Sequence, residues 1–321
     1  MPLLLREADV AALADMPSIV EWVEASFREL GDGDARNLPR ERVRLPSGTL
    51  HVLAAGSPTS GYLGLKAYTS FREGTRFLVL LYGAEDGRLL ALVEADRLGQ
   101  ARTGAASAVA TRHLARRDTR AMALFGTGWQ ARGQLDAIRH VHELDEVRVF
   151  GRDPDRRRRF VEEMAPQTGL RLVACESAQE ALEGAGVVTT ITTAADPLFP
   201  ADQVQAGAHV NAAGSNSLVR RELDPRLPRQ ARVVVDSRAQ ARQEAGDLLV
   251  AVERGWLDWD RLPELGEVVA GQAAGRRNDD EITIFESQGL GVQDVVVAGH
   301  LYERACERGL GEDVGLFAQA P

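Results

Sequence analysis

Lysine is almost absent from the sequence. Lys66 is the single lysine among 38 basic residues, and all the others are arginines. A guanidinium group keeps its proton near neutral pH, whereas a partly buried ammonium group can release its proton. Lys66 also lies inside 63–68, a stretch that is otherwise apolar, and lysine is rarely buried without a functional reason. We therefore expect that position 66 requires an amine for chemistry.

Cysteine is equally scarce. Cys175 and Cys306 lack the spacing of metal ligands, so we expect two free thiols in a cytoplasmic protein and no metal site. No apolar run approaches the roughly 20 residues of a transmembrane helix, and the first residues lack the pattern of a signal peptide. The net charge of −9 argues against nucleic acids and anionic membranes as partners.

The chain of 321 residues is long enough for two domains. Apolar patterns predict helix plus mostly antiparallel sheet in 1–115, to which a final helix at about 297–321 returns. In 116–296, strands alternate with helices, with strands predicted at 121–125, 146–150, 170–174, 186–192, 208–213 and 232–236. This alternation is typical of a doubly wound parallel sheet, so the predicted fold class is α/β: a Rossmann domain plus an α+β domain.

A glycine-rich turn follows the first strand of the second domain. Gly126, Gly128 and Ala131 match the dinucleotide-binding pattern, in which the first glycine permits the tight turn and the second admits a pyrophosphate. The free N–H groups at the start of the next helix favour the negative charge. We predict cofactor contacts from the whole turn, Gly126, Thr127, Gly128, Trp129, Gln130 and Ala131.

The end of the second strand indicates which dinucleotide binds. A carboxylate at this place bonds the ribose hydroxyls of NAD, and an arginine accommodates the 2′-phosphate of NADP. Here Gly151 and Arg152 follow the strand, and Asp153 comes later than a ribose ligand would. The sequence therefore favours NADP and leaves NAD as the alternative.

Further polar residues follow other strands of the parallel sheet, where ligands of such sheets bind. Thr192 and Thr193 end one strand, and Asn216 follows the next. Asn216 has two predicted roles, a bond to substrate or nicotinamide and a bond within its own loop. In the first domain, Arg42, Lys66 and Arg102 are candidate partners for a substrate carboxylate, since arginine can bind a carboxylate through two hydrogen bonds.

Several motifs together resemble those of the ornithine cyclodeaminase/mu-crystallin family. They are Gly-Thr-Gly-Trp-Gln-Ala at 126–131 and the segments 102–111, 210–214, 221–224, 235–237 and 244–247. The resemblance implies a homodimer whose first domain supplies the dimer interface and the substrate groups Arg42, Lys66 and Arg102. It also implies cofactor contacts from Thr75, Arg102, Thr103, Arg152, Thr192, Thr193, Ala213, Gly214 and Ser287.

Two positions depart from the cyclodeaminases of that family. Where they carry a glutamate for the distal amine of ornithine, this chain has His51, and where they carry a catalytic aspartate it has Asn216. An amide cannot accept a proton as a carboxylate does. His51 is a candidate acid, because the ordinary pKa of histidine is close to neutral. Lys66, His51 and Asn216 are therefore the candidate catalytic residues.

These residues predict an NAD(P)H-dependent reductase or dehydrogenase of amino-acid metabolism. Its substrate would be a ketimine or imino acid whose C=N carbon carries a carboxylate. One alternative is an ornithine cyclodeaminase that forms proline and releases ammonia. A second alternative is a binding protein without catalytic activity, like the mu-crystallins of the family.

Overall fold

The computed structural model describes residues 1–316, and the chain divides into two compact units. Unit 1 comprises Met1–Arg102 and the chain from Gly289 onward, and unit 2 comprises Thr103–Gln288. These divisions differ from the predicted boundaries at 115/116 and 296/297. The reason for the first difference is Gly104, where an added Cβ would lie only 2.1 Å from the Gly133 carbonyl oxygen. This close packing makes the segment after Arg102 part of unit 2.

Elements are numbered along the chain. The helices are α1 Glu7–Leu13, α2 Met16–Asp32, α3 Asp96–Leu114, α4 Trp129–Ile138, α5 Pro154–Thr168, α6 Ala178–Leu182, α7 Arg226–Gln230, α8 Arg238–Glu244, α9 Gly246–Glu253, α10 Leu265–Val269 and α11 Gly291–Arg308. The strands of unit 1 are β1 Leu3–Leu5, β2 Arg36–Asn37, β3 Glu41–Leu45, β4 Gly48–Ser57, β5 Tyr62–Phe71, β6 Gly74–Gly83, β7 Leu89–Glu94 and β15 Glu312–Asp313. Those of unit 2 are β8 Ala121–Phe125, β9 Glu146–Phe150, β10 Arg171–Ala174, β11 Val187–Thr190, β12 His209–Ala212, β13 Arg232–Val235 and β14 Thr283–Glu286.

Unit 1 is a mostly antiparallel sheet with the order β15-β1-β7-β6-β5-β4-β2, and β3 pairs with β4. The predicted final helix corresponds to α11, which ends at Arg308. The last part of that prediction, 317–321, lies outside the described residues. None of the helices in residues 1–316 combines the length and the apolar character needed to cross a bilayer.

Helix α11 packs along one face of β5. Added Cβ atoms would lie 2.3 Å from the Tyr62 ring at Gly299 and 3.1 Å from Leu53 Cβ at Gly291. Leu53 pairs with Lys66 on β5. Lys66 follows Tyr62 along the same strand, and both side chains lie on the same face of the sheet. The helix therefore runs antiparallel to β5, and its N-terminus lies over the Leu53–Lys66 pair.

The other face of β3, β4 and β5 is apolar and exposed. Val43 and Leu50 are directly opposite each other on β3 and β4, and both are exposed. Leu45, Leu63 and Phe71 extend the same exposed group. Because a sheet face normally buries its apolar side chains, this face resembles a surface that packs against something else.

Unit 2 is a parallel sheet with the order β10-β9-β8-β11-β12-β14-β13. Strands β9 and β10 follow β8 on one side of the sheet. The chain then crosses over, and β11 pairs with β8 on its other side. The strand order therefore reverses between β8 and β11, which is where dinucleotides bind in such sheets. The predicted α/β fold class, a Rossmann sheet with an α+β unit, is confirmed.

One strand of unit 2 was not predicted from the sequence. Strand β14 lies between β12 and β13 and has only four residues, preceded by the acidic segment 279–281. Its four residues are all buried, so the polar Thr283 and Glu286 interrupt the apolar run that marks a central strand. The remaining signal for a strand is the alternation of Ile282 and Ile284 with the polar Glu281 and Thr283.

Candidate active site

Lys66 is a buried cation in the middle of β5. Its side chain lies on the face covered by α11, and the residue is only 2% exposed. The Nζ atom donates a hydrogen bond of 2.8 Å to Asp294 Oδ1 and lies 4.9 Å from the centre of the Phe77 ring. Gly99 makes room for the ammonium group, because an added Cβ there would lie 2.9 Å from Nζ. The lysine that the composition singled out is thus enclosed by specific partners.

Arg102 shares the same carboxylate. Its Nε donates a 3.1 Å hydrogen bond to Asp294 Oδ1, and its Nη1 donates a bond of the same length to Gln293 Oε1. Gly289 has a left-handed φ of 81°, and an added Cβ there would lie 2.5 Å from Arg102 Nη1. The turn before α11 therefore needs glycine both for its backbone and for the space that the guanidinium occupies.

A third cation, Arg40, belongs to this group and was not predicted from the sequence. It immediately precedes β3, is 4% exposed, and donates from Nη2 to the Gly289 carbonyl oxygen at 3.4 Å. Its charge also acts on Lys66, whose pKa it lowers. We call Arg40, Lys66, Arg102 and Asp294 the buried charge cluster.

The buried charge cluster has an excess of positive charge. Two cations, Lys66 and Arg102, share one oxygen of Asp294, and within residues 1–316 Asp294 Oδ2 is buried without a hydrogen-bond partner. Burying charge is costly unless an opposite charge compensates it. An anionic ligand would supply that compensation. The cluster also lies at the N-terminus of α11, whose dipole favours negative charge.

The cluster adjusts the proton affinity of Lys66. Burial lowers its pKa to about 8, and the nearby Asp294 carboxylate opposes this by favouring the charged form, while Arg102 and Arg40 lower it further. An ammonium group with this pKa is protonated at neutral pH and can give up its proton to a reacting atom. Lys66 thus has the properties of a general acid.

His51 lies beside the cluster, on the next row of the same sheet face. Its ring stacks on Tyr68 with centres 4.2 Å apart and planes 3° apart, and its Nε2 is 3.1 Å from Ser70 Oγ. Burial lowers the pKa of His51 to about 4, and the charges of Arg42, Arg40 and Arg44 add to this effect. The expectation of a near-neutral pKa for His51 is therefore wrong, because burial, followed by the charges of the three arginines, favours the neutral ring.

Arg42 is separated from Lys66 by the strand register. It is directly opposite His51, whereas Lys66 is opposite Leu53 one row away. Arg40 and Arg42 are two residues apart, so their side chains lie on the same face of the sheet. The sequence alone gave no reason to prefer Arg40 as the substrate-binding arginine. The structure brings Arg40, Lys66 and Arg102 together. The role of Arg42 at the substrate carboxylate stays a prediction.

Asp294 was also missed from the sequence. It lies in the first turn of α11 among Val292, Val295 and Val296, which are all buried. A single carboxylate within an apolar helix face was the available signal, because such a residue is rarely buried without a cation. Its partners are remote in sequence, and only the fold reveals them.

In unit 2, the turn after β8 has the properties of a dinucleotide site. Gly126 has a φ of 124°, and an added Cβ would lie 2.5 Å from the Ile191 carbonyl oxygen at the end of β11. Gly128 precedes α4 without a capping side chain, and an added Cβ there would meet no protein atom within 4 Å. The backbone at Gly128 thus borders open space, and the free N–H groups at the start of a helix favour the negative charge of a pyrophosphate.

The end of β9 carries the residues on which the choice between NADP and NAD depends. Asp153 caps α5, and its carboxylate accepts hydrogen bonds from the backbone of Asp155 and Arg156. This carboxylate is therefore already engaged. Arg152 is exposed, and the buried Arg157 donates to the carbonyl oxygen of Gly151 at 2.8 Å.

Most of the other predicted cofactor residues follow the carboxyl ends of neighbouring parallel strands. Thr192 and Thr193 follow β11, Ala213, Gly214 and the exposed Asn216 follow β12, and Ser287 follows β14. Arg102 and Thr103 lie on α3, and Thr75 lies at the exposed start of β6 in unit 1. Contacts of these residues with a cofactor stay predictions.

Several known proteins are similar to this chain over almost its whole length. A Δ1-pyrroline-2-carboxylate reductase of Bacillus cereus is 33% identical over 325 residues, which cover 97% of this chain and 99% of the relative. The structure of the Δ1-pyrroline-2-carboxylate reductase of Thermococcus litoralis with NADH and L-proline is 34% identical, has a TM-score of 0.93 and covers 97% of this chain and 100% of that one. An archaeal alanine dehydrogenase dimer with bound NAD is 32% identical, has a TM-score of 0.92 and covers 98% and 99% of the two chains.

These comparisons confirm the prediction of an NAD(P)-dependent oxidoreductase and of a nicotinamide dinucleotide as its cofactor. The sequence profile of the ornithine cyclodeaminase/mu-crystallin family matches residues 1–309. The match extends through both units, and the chain belongs to the ornithine cyclodeaminase/mu-crystallin family.

Proposed function

We propose that this protein reduces the C=N bond of imino acids in which the imine carbon carries the carboxylate. The observation that carries the proposal is the buried charge cluster, where Lys66 and Arg102 share the single carboxylate of Asp294. A substrate carboxylate would neutralise this excess charge. The relatives named as Δ1-pyrroline-2-carboxylate reductases support a cyclic ketimine as the first substrate to test.

The roles of the residues follow from their chemistry. Arg40 and Arg102 would bind the substrate carboxylate, because a guanidinium group can donate two hydrogen bonds to it. The Lys66 ammonium group would then give its proton to the imine nitrogen as the C=N bond is reduced. When bound, the cofactor supplies the hydride that adds to the imine carbon. In sum, the imine, NAD(P)H and one proton give the amine and NAD(P)⁺.

We propose NADP as the preferred form of the cofactor. Arg152 follows β9 at the place where a 2′-phosphate would lie, and the Asp153 carboxylate is occupied by the backbone of α5. An arginine without a competing carboxylate at this place favours the additional phosphate. NAD, which the similar structures contain, is the alternative.

We also propose that the protein forms a homodimer through the exposed apolar face of β3, β4 and β5. Val43, Leu50 and Leu63 on this face are too exposed for a sheet surface in a monomer. A second copy would bury them, and the similar alanine dehydrogenase is a dimer. A cytoplasmic location is part of the same proposal, since Cys175 and Cys306 are both free thiols.

The substrate proposal is tested by comparing two isomers. Oxidation of NADPH and NADH is measured with Δ1-pyrroline-2-carboxylate and with Δ1-pyrroline-5-carboxylate, whose carboxylate is not on the imine carbon. Cyclic six-membered ketimines and 2-oxo acids mixed with ammonia or methylamine complete the series. We expect turnover of the 2-carboxylates and little turnover of the 5-carboxylate.

Three other results would contradict this proposal. Equal turnover of the two isomers would show that the cluster does not select the carboxylate position. Ammonia release from ornithine without net oxidation of the cofactor would favour a cyclodeaminase. Cofactor binding without turnover of any amino or imino acid would favour a binding protein.

A further inference from the structure

Glu222 connects two loops of unit 2 through one buried carboxylate. Its Oε1 accepts a 2.6 Å hydrogen bond from the Thr192 N–H, and its Oε2 accepts a 2.9 Å bond from the Gly214 N–H. Thr192 follows β11 and Gly214 follows β12, and these two strands are neighbours in the parallel sheet. A fully buried side chain thus fixes the spacing of two loops at the edge of the sheet where dinucleotides bind.

The fit between Glu222 and the second loop requires glycine. An added Cβ at Gly214 would lie 2.4 Å from Glu222 Oε2, which is much too close for two atoms that are not bonded. The carboxylate therefore lies directly against the backbone of this loop. This contact explains why a glycine follows the strand that ends at Ala212, a position whose φ does not itself demand glycine.

Asp247 in turn holds Glu222 in place. Its Oδ1 accepts hydrogen bonds from the backbone N–H groups of Glu222, at 2.6 Å, and Leu223, at 2.7 Å. Asp247 is in the first turn of α9, and an added Cβ at the preceding Gly246 would lie 2.0 Å from the Arg220 carbonyl oxygen. The start of α9 is thus packed against the segment that carries Glu222.

Burial, together with the charge of Asp247, makes the ionisation of Glu222 sensitive to pH. Burial raises the pKa of Glu222 to about 7, and the charge of Asp247 acts in the same direction, while hydrogen bonds from Thr192 oppose the shift. Burial raises the pKa of Asp247 to about 6. Burial, followed by the charges of Asp247, Asp236 and Glu222, holds the pKa of Glu286 on β14 far above its usual value.

The two loop contacts depend on ionisation. An ionised carboxylate offers acceptor sites on both oxygens, whereas protonation turns one oxygen into an O–H donor. One of the two backbone N–H groups would then lose a strong acceptor in a buried place, which costs free energy. Among the described residues no group of three or more acidic, histidine or cysteine side chains is arranged to hold a metal ion. The contacts observed for Glu222 are with backbone N–H groups.

We propose that Glu222 is a positioning residue, whose ionised carboxylate holds the loops after β11 and β12 in the geometry that binds the nicotinamide dinucleotide. The inference rests on the proposed function, because Thr192 and Gly214 are predicted cofactor contacts. Asp247 supports the same geometry through the backbone of Glu222 and Leu223.

The sign of the pH effect follows from linkage. If the ionised form of Glu222 binds cofactor more tightly, affinity rises as the pH rises through the Glu222 pKa of about 7 and is lost below it. By reciprocity, cofactor binding lowers the pKa of Glu222 and releases protons near neutral pH. A residue that only stabilised the fold would lower thermal stability without producing this step.

The test measures binding of NADH and NADPH by fluorescence over roughly pH 5.5 to 9, without any imino acid. The proteins are the wild type, Glu222→Gln and the control Glu253→Gln at an exposed position of α9. We expect Glu222→Gln to bind about 10- to 100-fold more weakly at high pH and to show no step near neutral pH. The control should match the wild type.

Several results would overturn the inference. In folded Glu222→Gln, wild-type affinity or an unchanged pH step would do so. A second measurement needs only the wild type: calorimetric titration with NADPH in buffers of different ionisation enthalpy should show proton release near neutral pH, and its absence would also refute the proposal. If neither NADH nor NADPH binds, the proposed function fails as well, whereas binding without the pH step refutes Glu222 alone.

Discussion

Lys66 Nζ lies 2.8 Å from Asp294 Oδ1, and both side chains are almost completely buried. The same carboxylate oxygen accepts a hydrogen bond from Arg102. Burial and the neighbouring arginines lower the pKa of Lys66, while Asp294 raises it. Asp294 therefore affects the pH range in which Lys66 could act as an acid. It has this effect through its contact with Lys66 and does not need to contact the substrate.

Replacing the carboxylate should shift the pH dependence of catalysis. In Asp294→Asn the charge that favours the ammonium form is removed, so the pKa of Lys66 should fall by about one unit or more. Because we propose the protonated lysine as the acid, the decline of kcat/KM for imine reduction at high pH should begin at a correspondingly lower pH. The measurement is kcat/KM for Δ1-pyrroline-2-carboxylate as a function of pH.

The control for this variant is Asp145→Asn, at an exposed position of unit 2. It should leave the pH profile unchanged. A profile of Asp294→Asn that coincides with the wild type, in a variant that is folded and binds cofactor, would show that Asp294 does not govern the proton of Lys66.

Lys66 itself should be required for the chemical step. Lys66→Met removes the acid and should lower kcat for imine reduction by about 100- to 10,000-fold. Lys66→Arg keeps the charge but cannot release the proton near neutral pH, so it should bind substrate and still lose most of its activity. The decline of activity above the Lys66 pKa of about 8 should disappear in both variants.

The comparison of these two variants separates binding from proton transfer. A Lys66→Arg protein with near wild-type kcat would show that position 66 contributes charge alone. In that case another group would have to protonate the imine nitrogen.

The sequence predicted Lys66 but not its partners. A lone lysine in an arginine-rich chain is visible from composition, and its apolar surroundings indicated burial. Asp294 lies 228 residues further along the chain and reaches Lys66 only because α11 returns to unit 1. No local pattern contains this information. Similarly, Glu222 contacts both Thr192 and Gly214 only because the strands that precede these two residues, β11 and β12, are neighbours in the sheet.

Two strands of the parallel sheet were predicted with correct bounds, although β14 was missed. Strands β8 and β9 match the predicted 121–125 and 146–150, because glycines and helix patterns bound each buried run. By contrast, the choice between Arg40 and Arg42 depends on where α11 begins over β4 and β5. Both arginines lie on the same face of the sheet, so the sequence could not show that Arg40 is the more buried of the two.

Arg40 should contribute more to substrate binding than Arg42. Arg40 lies in the buried charge cluster, whereas Arg42 lies one row away opposite His51. Losing a charged hydrogen bond to the substrate carboxylate should raise KM about 10- to 100-fold in Arg40→Gln, with a smaller effect in Arg42→Gln. Arg44→Gln, further out on β3, is the control. An effect of Arg42→Gln that exceeds that of Arg40→Gln would restore the first prediction.

Arg152 should set the choice between NADP and NAD. Its removal in Arg152→Ser takes away the cation proposed to bind the 2′-phosphate and should weaken NADPH binding about 10-fold or more, with little effect on NADH. Arg158→Ser, at an exposed position on α5, is a suitable control for the general loss of positive charge. Dissociation constants for both cofactors give the result, and equal losses for NADPH and NADH would contradict the assignment.

The exposed apolar face of unit 1 should hold two copies of the chain together. Val43→Asp places a charge where Val43 and Leu50 are opposite each other, on the face that α11 does not cover. Because a buried unpaired charge is costly, the variant should be monomeric at concentrations where the wild type is a dimer. Val219→Asp is the matched control, since Val219 is 81% exposed and lies in unit 2. Light scattering after size-exclusion chromatography measures the mass, and a Val43→Asp protein that stays dimeric would place the interface elsewhere.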